Sequence, residues 1–164
     1  MLRTAGQHIV PYFWFPTEAE EAAHFYASIF PDSRVDRVSA LPADSPSGPA
    51  GSVKTVEFTL FGQPFRAMSA GPFEAFNHAI SLMVECQDQA EVDRYWSGLL
   101  QGGGAPEACG WLKDRFGLSW QITPKRLFEM MQDSDARRAR RVAEAMLKMV
   151  KIDLAQLEAA FRGA

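Results

Sequence analysis

The stretch PYFWFPTEAEEAAHFYASIF (Pro11–Phe30) is the best guide to the fold, because its pattern recurs later in the chain. Shifted by 70 residues and without a gap, it lies on SLMVECQDQAEVDRYWSGLL (Ser81–Leu100). Each copy opens with an apolar run of strand length, turns polar, and continues as an amphipathic helix with coinciding apolar positions. Internal similarity at a fixed spacing indicates a duplicated structural module.

A second pair of segments extends the repeat. FGQPFRAM (Phe61–Met68) resembles FGLSWQIT (Phe116–Thr123), and in each the Phe-Gly pair follows an alternating or short apolar run. A glycine between two such runs is typical of a hairpin. The sequence therefore predicts an α+β protein of two βαβββ modules, residues 9–71 and 77–124, within a single domain of residues 1–164.

The last forty residues, 125–164, lie outside the repeat and predict extra C-terminal helices, the main one capped by Asp133 or Ser134. Apolar residues recur there at helical spacing. The apolar faces of these helices need a partner surface, so we expect a homodimer. The residues that this expectation places at the dimer surface are Met146, Met149, Val150 and Phe161.

Composition excludes several classes of protein. With 47% hydrophobic and 23% charged residues and a net charge of −3, the chain has no electrostatic footprint for nucleic acid. The basic run Arg137–Arg141 has acids nearby and is typical of a solvated helix face. No apolar run approaches ~18 residues, so no membrane span is expected. Two cysteines give no disulfide framework and the N-terminus shows no signal peptide, so we expect a cytoplasmic protein.

Three longer strings narrow the fold to a known superfamily. PYFWFPTEAEEAAHFYASIFPDSR, TVEFTLFGQPFRAMSAGP and CGWLKDRFGLSWQITP resemble the PhnB-like branch of the vicinal oxygen chelate superfamily. Members of that branch often carry the label 3-demethylubiquinone-9 3-methyltransferase. The resemblance covers about residues 9–160 and implies the glyoxalase/bleomycin-resistance/dihydroxybiphenyl dioxygenase fold, with homodimers common.

The resemblance also implies a divalent-metal site, with ligands from the first and last strands of each module. Counting back from the acids at the two helix starts, the first-strand positions fall on Pro11 and Ser81. Counting on from the hairpin glycines, the last-strand positions fall on Arg66 and Gln121. Proline and arginine side chains do not bind metals, and serine with glutamine makes a poor divalent site. We therefore expect no metal and no other cofactor.

The histidines and cysteines offer few replacements. His8 and His78 each precede an expected ligand position by three residues, which points them to the other face of a strand, and His24 lies on the polar side of the first helix. An ordinary surface or hinge histidine is the simpler interpretation of each, with His78 at the junction of the modules the most interesting. Cys109 has no basic neighbour in sequence and reads as an inert buried thiol, so it is only a weak catalytic candidate.

The methyltransferase label finds no support in the residues. A methyl donor such as S-adenosylmethionine usually needs a Gly-rich turn between a parallel strand and a helix. The glycine run Gly102–Gly104 instead follows a helix and leads into Ala-Pro, which is the wrong context for a nucleotide loop.

A pocket lined by the sheets remains as the site. If the four ligand positions face a cavity, the period of two along a strand adds further residues to its wall. The expected lining is Pro11, Phe13, Phe15, Arg66, Met68, Ser81, Met83, Glu85, Ser119 and Gln121. Apolar walls with one arginine and neutral polar groups suit a small organic molecule that is anionic or aromatic. Alternatively, Arg66 pairs with Glu57 or Glu85. We expect Trp111 and Trp120 to be core residues rather than ligand contacts.

Three functions stay open at this point. The first is a metal-free PhnB-like protein that binds a small organic molecule, as a binding protein or as an enzyme of unknown reaction in which Arg66 and Cys109 are the weak catalytic candidates. The second is a metal-dependent lyase, isomerase or dioxygenase of the glyoxalase type. The third, disfavoured, is the methyltransferase that the family label names.

Overall fold

The chain folds as two compact units, each built on one four-stranded sheet. A computed structural model describes residues 9–164, so His8 lies outside the described residues. The first unit ends at Ala75 and the second is Phe76–Ala164. Within the described range, no helix has the length and apolar character that crossing a membrane requires.

The first unit follows the predicted βαβββ order. Its elements are β1 (Tyr12–Phe15), α1 (Ala19–Ile29), β2 (Arg34–Ala40), β3 (Lys54–Leu60) and β4 (Gln63–Ser69). The sheet order is β1-β4-β3-β2, with β1 parallel to β4 and the other pairs antiparallel. Phe61 and Gly62 alone join β3 to β4 and both have positive φ (49° and 75°), as a two-residue type I′ hairpin turn requires.

Helix α1 covers one face of this sheet. The backbone N–H of Ala19, at its first turn, donates to Ser69 Oγ at 3.0 Å, and Ser69 lies in register with Phe15. Alternate strand residues point to that face and are buried with the apolar side of the helix. The core so formed includes Phe13, Phe15, Tyr26, Val56, Phe58, Phe65 and Ala67.

The second unit repeats the plan, so the predicted duplication is confirmed. Its elements are β5 (Leu82–Cys86), α2 (Gln89–Leu100), β6 (Ala105–Pro106), β7 (Trp111–Lys113) and β8 (Ser119–Pro124), in the sheet order β5-β8-β7-β6. The predicted C-terminal helices follow as α3 (Lys125–Met131), α4 (Ala136–Met146) and α5 (Leu154–Arg162).

The two copies differ by one residue in the loop between strand and helix. Three residues (16–18) separate β1 from α1, whereas two (87–88) separate β5 from α2. The strand ends, Phe15 and Cys86, are therefore offset by 71 residues and the helix starts, Ala19 and Gln89, by 70. An alignment without a gap is thus wrong by one residue in the strand, and a one-residue slip exchanges the two faces.

The connection between β7 and β8 is built around a buried carboxylate. Asp114 is only 3% exposed. Its Oδ1 accepts hydrogen bonds from the backbone N–H groups of Phe116 (2.8 Å) and Leu118 (3.1 Å), and its Oδ2 accepts one from Trp120 Nε1 (2.8 Å). Trp120 itself is 2% exposed, which confirms that it belongs to the core. The predicted hairpin is therefore present, but its turn is longer than the one in the first unit.

The C-terminal helices form a small core of their own, which includes Leu127, Met130, Val142, Met149, Ile152 and Leu157. Met149 is 8% exposed, so its assignment to a dimer surface is wrong. Met146 and Phe161 are partly buried and pack against the same cluster, and their place at a dimer surface stays a prediction. The predicted cap of α4 is also wrong, because the side chain of Asp135 accepts from the N–H of Arg137. Val150, 53% exposed, remains on the surface as predicted.

The backbone joins this helical segment to the sheet at one turn. Cys109 and Gly110 donate their N–H groups to the carbonyl oxygens of Met149 and Val150, both at 2.8 Å. Both donors have positive φ (59° and 82°). The turn before β7 therefore holds the residues between α4 and α5 against the sheet.

Candidate functional site

The face of each sheet opposite its own helix, α1 or α2, is called its open face here. On the open face of the first sheet, side chains from all four strands form two rows across the ladder. The first row is Arg37, Glu57, Arg66 and Tyr12. The second row is Ser39, Thr55, Met68 and Trp14. The first row carries the charges, and the second is neutral.

The structure corrects the predicted position of two lining residues. Phe13 and Phe15 are 7% and 1% exposed and lie on the helix side of the sheet, opposite to Arg66 and Met68. The ring of Phe13 stacks on that of Phe65 in the core, with centroids 6.0 Å apart. The error comes from the loop of unequal length, which shifted β1 by one residue against the repeat.

Tyr12 and Trp14 occupy the open-face positions in their place. Tyr12 is 49% exposed and stands in register with Arg66. Trp14 donates its indole N–H to the carbonyl oxygen of Gly71 at 2.8 Å, and its ring stacks on Phe73 with centroids 5.2 Å apart. Phe73 is 75% exposed, so an aromatic pair adjoins the charged row. The period of two along a strand places both residues on the open face once the register of β1 is known.

Arg66 makes the ion pair that the sequence offered as an alternative. Its Nη2 lies 3.2 Å from Glu57 Oε1, and both side chains are 48% exposed. An exposed pair with one such contact contributes little to stability. The other N–H groups of the guanidinium have no partner among the described residues, so they remain available to an anionic ligand.

On the second sheet, the predicted polar lining shares one face. Met83 and Gln121 stand in register, and Gln121 Nε2 donates to Ser81 Oγ at 2.8 Å. Trp111 pairs with Gln121 on the next strand and is half-buried, so the prediction that it is a core residue is wrong. Glu107, whose N–H donates to the Trp111 carbonyl at 2.8 Å, extends the same row.

Ser119 and Glu85 lie on this open face as well. Ser119 pairs with Lys113 and is fully buried, and its Oγ has no hydrogen-bond partner among residues 9–164. A buried hydroxyl without a protein partner is uncommon in native proteins. Glu85 is exposed and in register with Thr123, and Arg66 pairs with Glu57 rather than with it.

His78 contacts a carboxylate that the sequence did not reveal. Its Nε2 lies 2.9 and 3.0 Å from the two carboxylate oxygens of Glu107, and its ring centroid is 6.2 Å from that of Trp111. The partner lies 29 residues away, so no local pattern could have indicated it. His24, by contrast, is exposed on α1, as predicted.

The two cysteines differ in burial. Cys86 is fully buried, and burial, together with the charges of Glu91 and Asp88, raises the pKa of its thiol to about 12. A thiol with so high a pKa is not a nucleophile at neutral pH. Cys109 is only half-buried, so the expectation of a buried thiol is wrong for it. It lies in the tight turn before β7, where its backbone N–H donates to the carbonyl oxygen of Met149.

The residues at the superfamily's ligand positions do not fit a divalent metal. The register places Tyr12, not Pro11, beside Arg66, and Gln121 is hydrogen-bonded to Ser81. A phenol, a guanidinium, a hydroxyl and an amide make a poor donor set for such an ion. Nor do the described residues contain any group of three or more His, Cys, Asp and Glu side chains that could hold one.

Comparison with known proteins identifies relatives of both sequence and fold. The sequence profile of the 3-demethylubiquinone-9 3-methyltransferase family matches residues 7–123. The PhnB protein from Bacillus cereus is similar in structure, with a TM-score of 0.61, 33% identity, and coverage of 72% of this chain and 99% of its own. No curated protein sequence matches the chain.

Two more distant structures share the fold. Protein PA1353 from Pseudomonas aeruginosa has a TM-score of 0.55 and 23% identity, and the match covers 73% of this chain and 98% of that one. The fosfomycin resistance protein FosX from Mesorhizobium loti has a TM-score of 0.53 and 14% identity over 73% of this chain and 92% of its own. These similarities support the duplicated βαβββ fold. The family profile ends at residue 123, just before the C-terminal helices.

Proposed function

The chain belongs to the 3-demethylubiquinone-9 3-methyltransferase family, in the PhnB-like branch of the vicinal oxygen chelate superfamily, and we propose that it binds a small organic anion without a metal. The site of binding is the open face of the first sheet. The observation that carries the proposal is Arg66, half-exposed beside Tyr12 and Trp14 and held by a single contact to Glu57.

The charges of this face favour an anion. Two arginines, Arg37 and Arg66, flank one glutamate, Glu57, in the same row, so the row carries a formal charge of +1. A guanidinium binds carboxylate or phosphate through two parallel hydrogen bonds, which fixes the orientation of the ligand as well as its charge.

The aromatic residues favour a planar ligand. Tyr12 and the stacked pair Trp14 and Phe73 present ring surface next to Arg66. Small-molecule sites combine such apolar surface with a small number of polar groups that set specificity. An aromatic carboxylate matches both the arginine and the aromatic residues of this face.

Metal-free binding is supported by the residues at the expected ligand positions, because a guanidinium does not bind a divalent metal and a hydroxyl with an amide makes a poor donor set. Methyl transfer would need a glycine-rich loop that binds a nucleotide-type methyl donor, and the glycine run of this chain does not lie where such a loop would. Gly102–Gly104 follows the C-terminus of α2 and leads into the short strand β6, away from any strand-to-helix turn.

Replacing Arg66 by glutamine should weaken the binding of 2-naphthoate by about tenfold, because a charge-assisted hydrogen bond contributes more than 1 kcal/mol. Isothermal titration would measure this dissociation constant beside that of the neutral 2-naphthamide, which should change little. Arg140→Gln is the matched control, since Arg140 also pairs with a glutamate, Glu144, but on exposed α4. Equal losses for both ligands, or for both variants, would contradict the proposal.

Native mass spectrometry tests the absence of a metal. Protein purified without chelator or affinity metal should carry no stoichiometric ion and should retain a small organic adduct. The same spectrum tests the predicted homodimer, which should appear as two chains. A stoichiometric zinc, nickel, manganese or iron ion would overturn metal-free binding and favour the metal-dependent lyase, isomerase or dioxygenase. Incubation with the adduct compound then separates a binding protein, which returns it unchanged, from an enzyme.

A further inference from the structure

We propose that the open face of the second sheet is a proton-transfer site in which His78 is the base, Glu107 orients it, and a planar substrate stacks on Trp111. This site differs from the anion site proposed on the first sheet and does not depend on it. It rests on three contacts between side chains that the fold brings together from distant parts of the second unit.

The hydrogen bonds of His78 leave one ring nitrogen in position to accept a proton. Nε2 lies 2.9 and 3.0 Å from the two oxygens of Glu107. In neutral imidazole one nitrogen carries the proton and the other has a lone pair. The carboxylate holds the proton on Nε2, so the lone pair resides on Nδ1. Within residues 9–164, no group forms a hydrogen bond to Nδ1.

Glu107 is placed to stabilise the charge that His78 acquires. Its side chain is 27% exposed, against 53% for His78, so the carboxylate is the more deeply set partner. Its backbone N–H is fixed by the carbonyl oxygen of Trp111. Among the residues that the structure describes, Lys113 is a further charged group near the pair, and its Nζ lies 4.0 Å from Glu107 Oε1. A carboxylate that orients an imidazole and stabilises the imidazolium is a recurring arrangement in catalytic sites.

Trp111 supplies the surface beside the base. Its ring centroid is 6.2 Å from that of His78, with the planes inclined at 45°. The same row continues through Gln121 to Met83, which is 44% exposed. A planar molecule stacked on the indole would lie beside the imidazole ring, with an amide and a thioether along the same row.

The reaction class is removal of an acidic C–H or O–H proton. In this step the bond from the substrate atom to hydrogen breaks, an N–H bond forms at Nδ1, and the electron pair stays with the substrate. A simple probe is 5-nitrobenzisoxazole, whose ring opens when a base removes the proton on carbon 3. The freed electron pair forms the nitrile, the N–O bond breaks, and its electrons remain on the phenolate oxygen. No oxidant, reductant or second reactant is needed.

The absorbance of the released cyanonitrophenolate gives the rate with the whole protein. We expect His78→Gln to lower kcat/KM at least tenfold, and the rate of the unchanged protein to fall as the pH is lowered, because protonated imidazole cannot accept a proton. Glu107→Gln, at the positioning residue, should lower kcat and leave KM unchanged. His24→Gln, which alters the exposed histidine on α1, should behave as the unchanged protein does.

Two results would overturn the proposal. One is a rate for the unchanged protein no higher than that of His78→Gln. The other is an equal loss in His78→Gln and His24→Gln, which would assign the activity to surface imidazole in general. Should His78→Gln fail to fold, the pH profile of the unchanged protein decides, since a rate that does not fall below neutral pH excludes a histidine base.

Discussion

Replacing Asp114 by alanine will lower the free energy of unfolding by about 3–4 kcal/mol, because three hydrogen-bond donors lose their acceptor inside the protein. Two of them are the backbone N–H groups of Phe116 and Leu118, and the third is the indole N–H of Trp120. The carboxylate is 3% exposed, so water cannot simply replace it. The loss should appear as a lower midpoint of urea unfolding followed by circular dichroism.

The control for this variant is Asp44→Ala. Asp44 also accepts a backbone hydrogen bond, from Ala50 at 2.8 Å, but it lies in an exposed loop. Its removal should cost about 0.5 kcal/mol or less, since water takes over the bond. If the two variants unfolded at the same urea concentration, the buried carboxylate would not be what holds the β7–β8 connection.

Replacing Gly110 by alanine should be nearly as damaging, with a loss of about 3 kcal/mol in the free energy of unfolding. The residue has a φ of +82°, which disfavours any side chain. An added Cβ would also lie 2.9 Å from the carbonyl oxygen of Ile122 and 2.9 Å from Cγ1 of Ile152. Because a β-carbon cannot approach a backbone oxygen that closely, the turn must move away from β8, and the side chain of Ile152 must shift as well.

Gly117→Ala separates the two causes of this loss. Gly117 has a similar φ of +87°, but an added Cβ would meet no atom within 4 Å. It should therefore show the conformational cost alone, about 1 kcal/mol. Urea unfolding of both variants gives the difference. Equal losses would show that the contact with Ile122 and Ile152 adds nothing.

The order of elements was predictable from the sequence because each signal is local. The amphipathic period and the acid at its start place α2 at Gln89–Leu100, as observed. The Phe-Gly pair marks the first hairpin, whose turn needs positive φ at both residues. The predicted cap of α4 failed because several acids and hydroxyls cluster before it, and only the folded backbone selects Asp135.

The site was predicted only in part, for a physical reason. The residues of β1, Tyr12–Phe15, are all aromatic, so no alternation of polar and apolar residues fixes which of them face the core. The faces of β1 were therefore assigned by alignment with the second copy. The loop between strand and helix is one residue shorter there, so the assignment was wrong by one residue. In β8 the alternation of polar and apolar residues is clear, and Ser81 and Gln121 were placed correctly on one face.

Contacts between segments that are far apart in the sequence could not be predicted from the sequence. The pairing of His78 with Glu107 joins the segment before β5 to the residue after β6, and each residue type is common on protein surfaces. Charges and hydroxyls carry no local signature of their partners. The same holds for Ser119, whose unsatisfied hydroxyl becomes visible only when the strands are assembled.

The extra residue in the loop between β1 and α1 also bears on how the two copies diverged. A length change in a loop leaves both faces of the neighbouring strand intact, whereas the same change inside the strand would turn its core outward. After the duplication, the open faces of the two sheets could therefore change composition separately. The first is cationic and aromatic, and the second is rich in hydroxyl and amide groups. To transfer one open face onto the other sheet, residues should be exchanged by their position across the sheet rather than by counting along the chain. Tyr12 then corresponds to Met83, and Arg66 corresponds to Gln121.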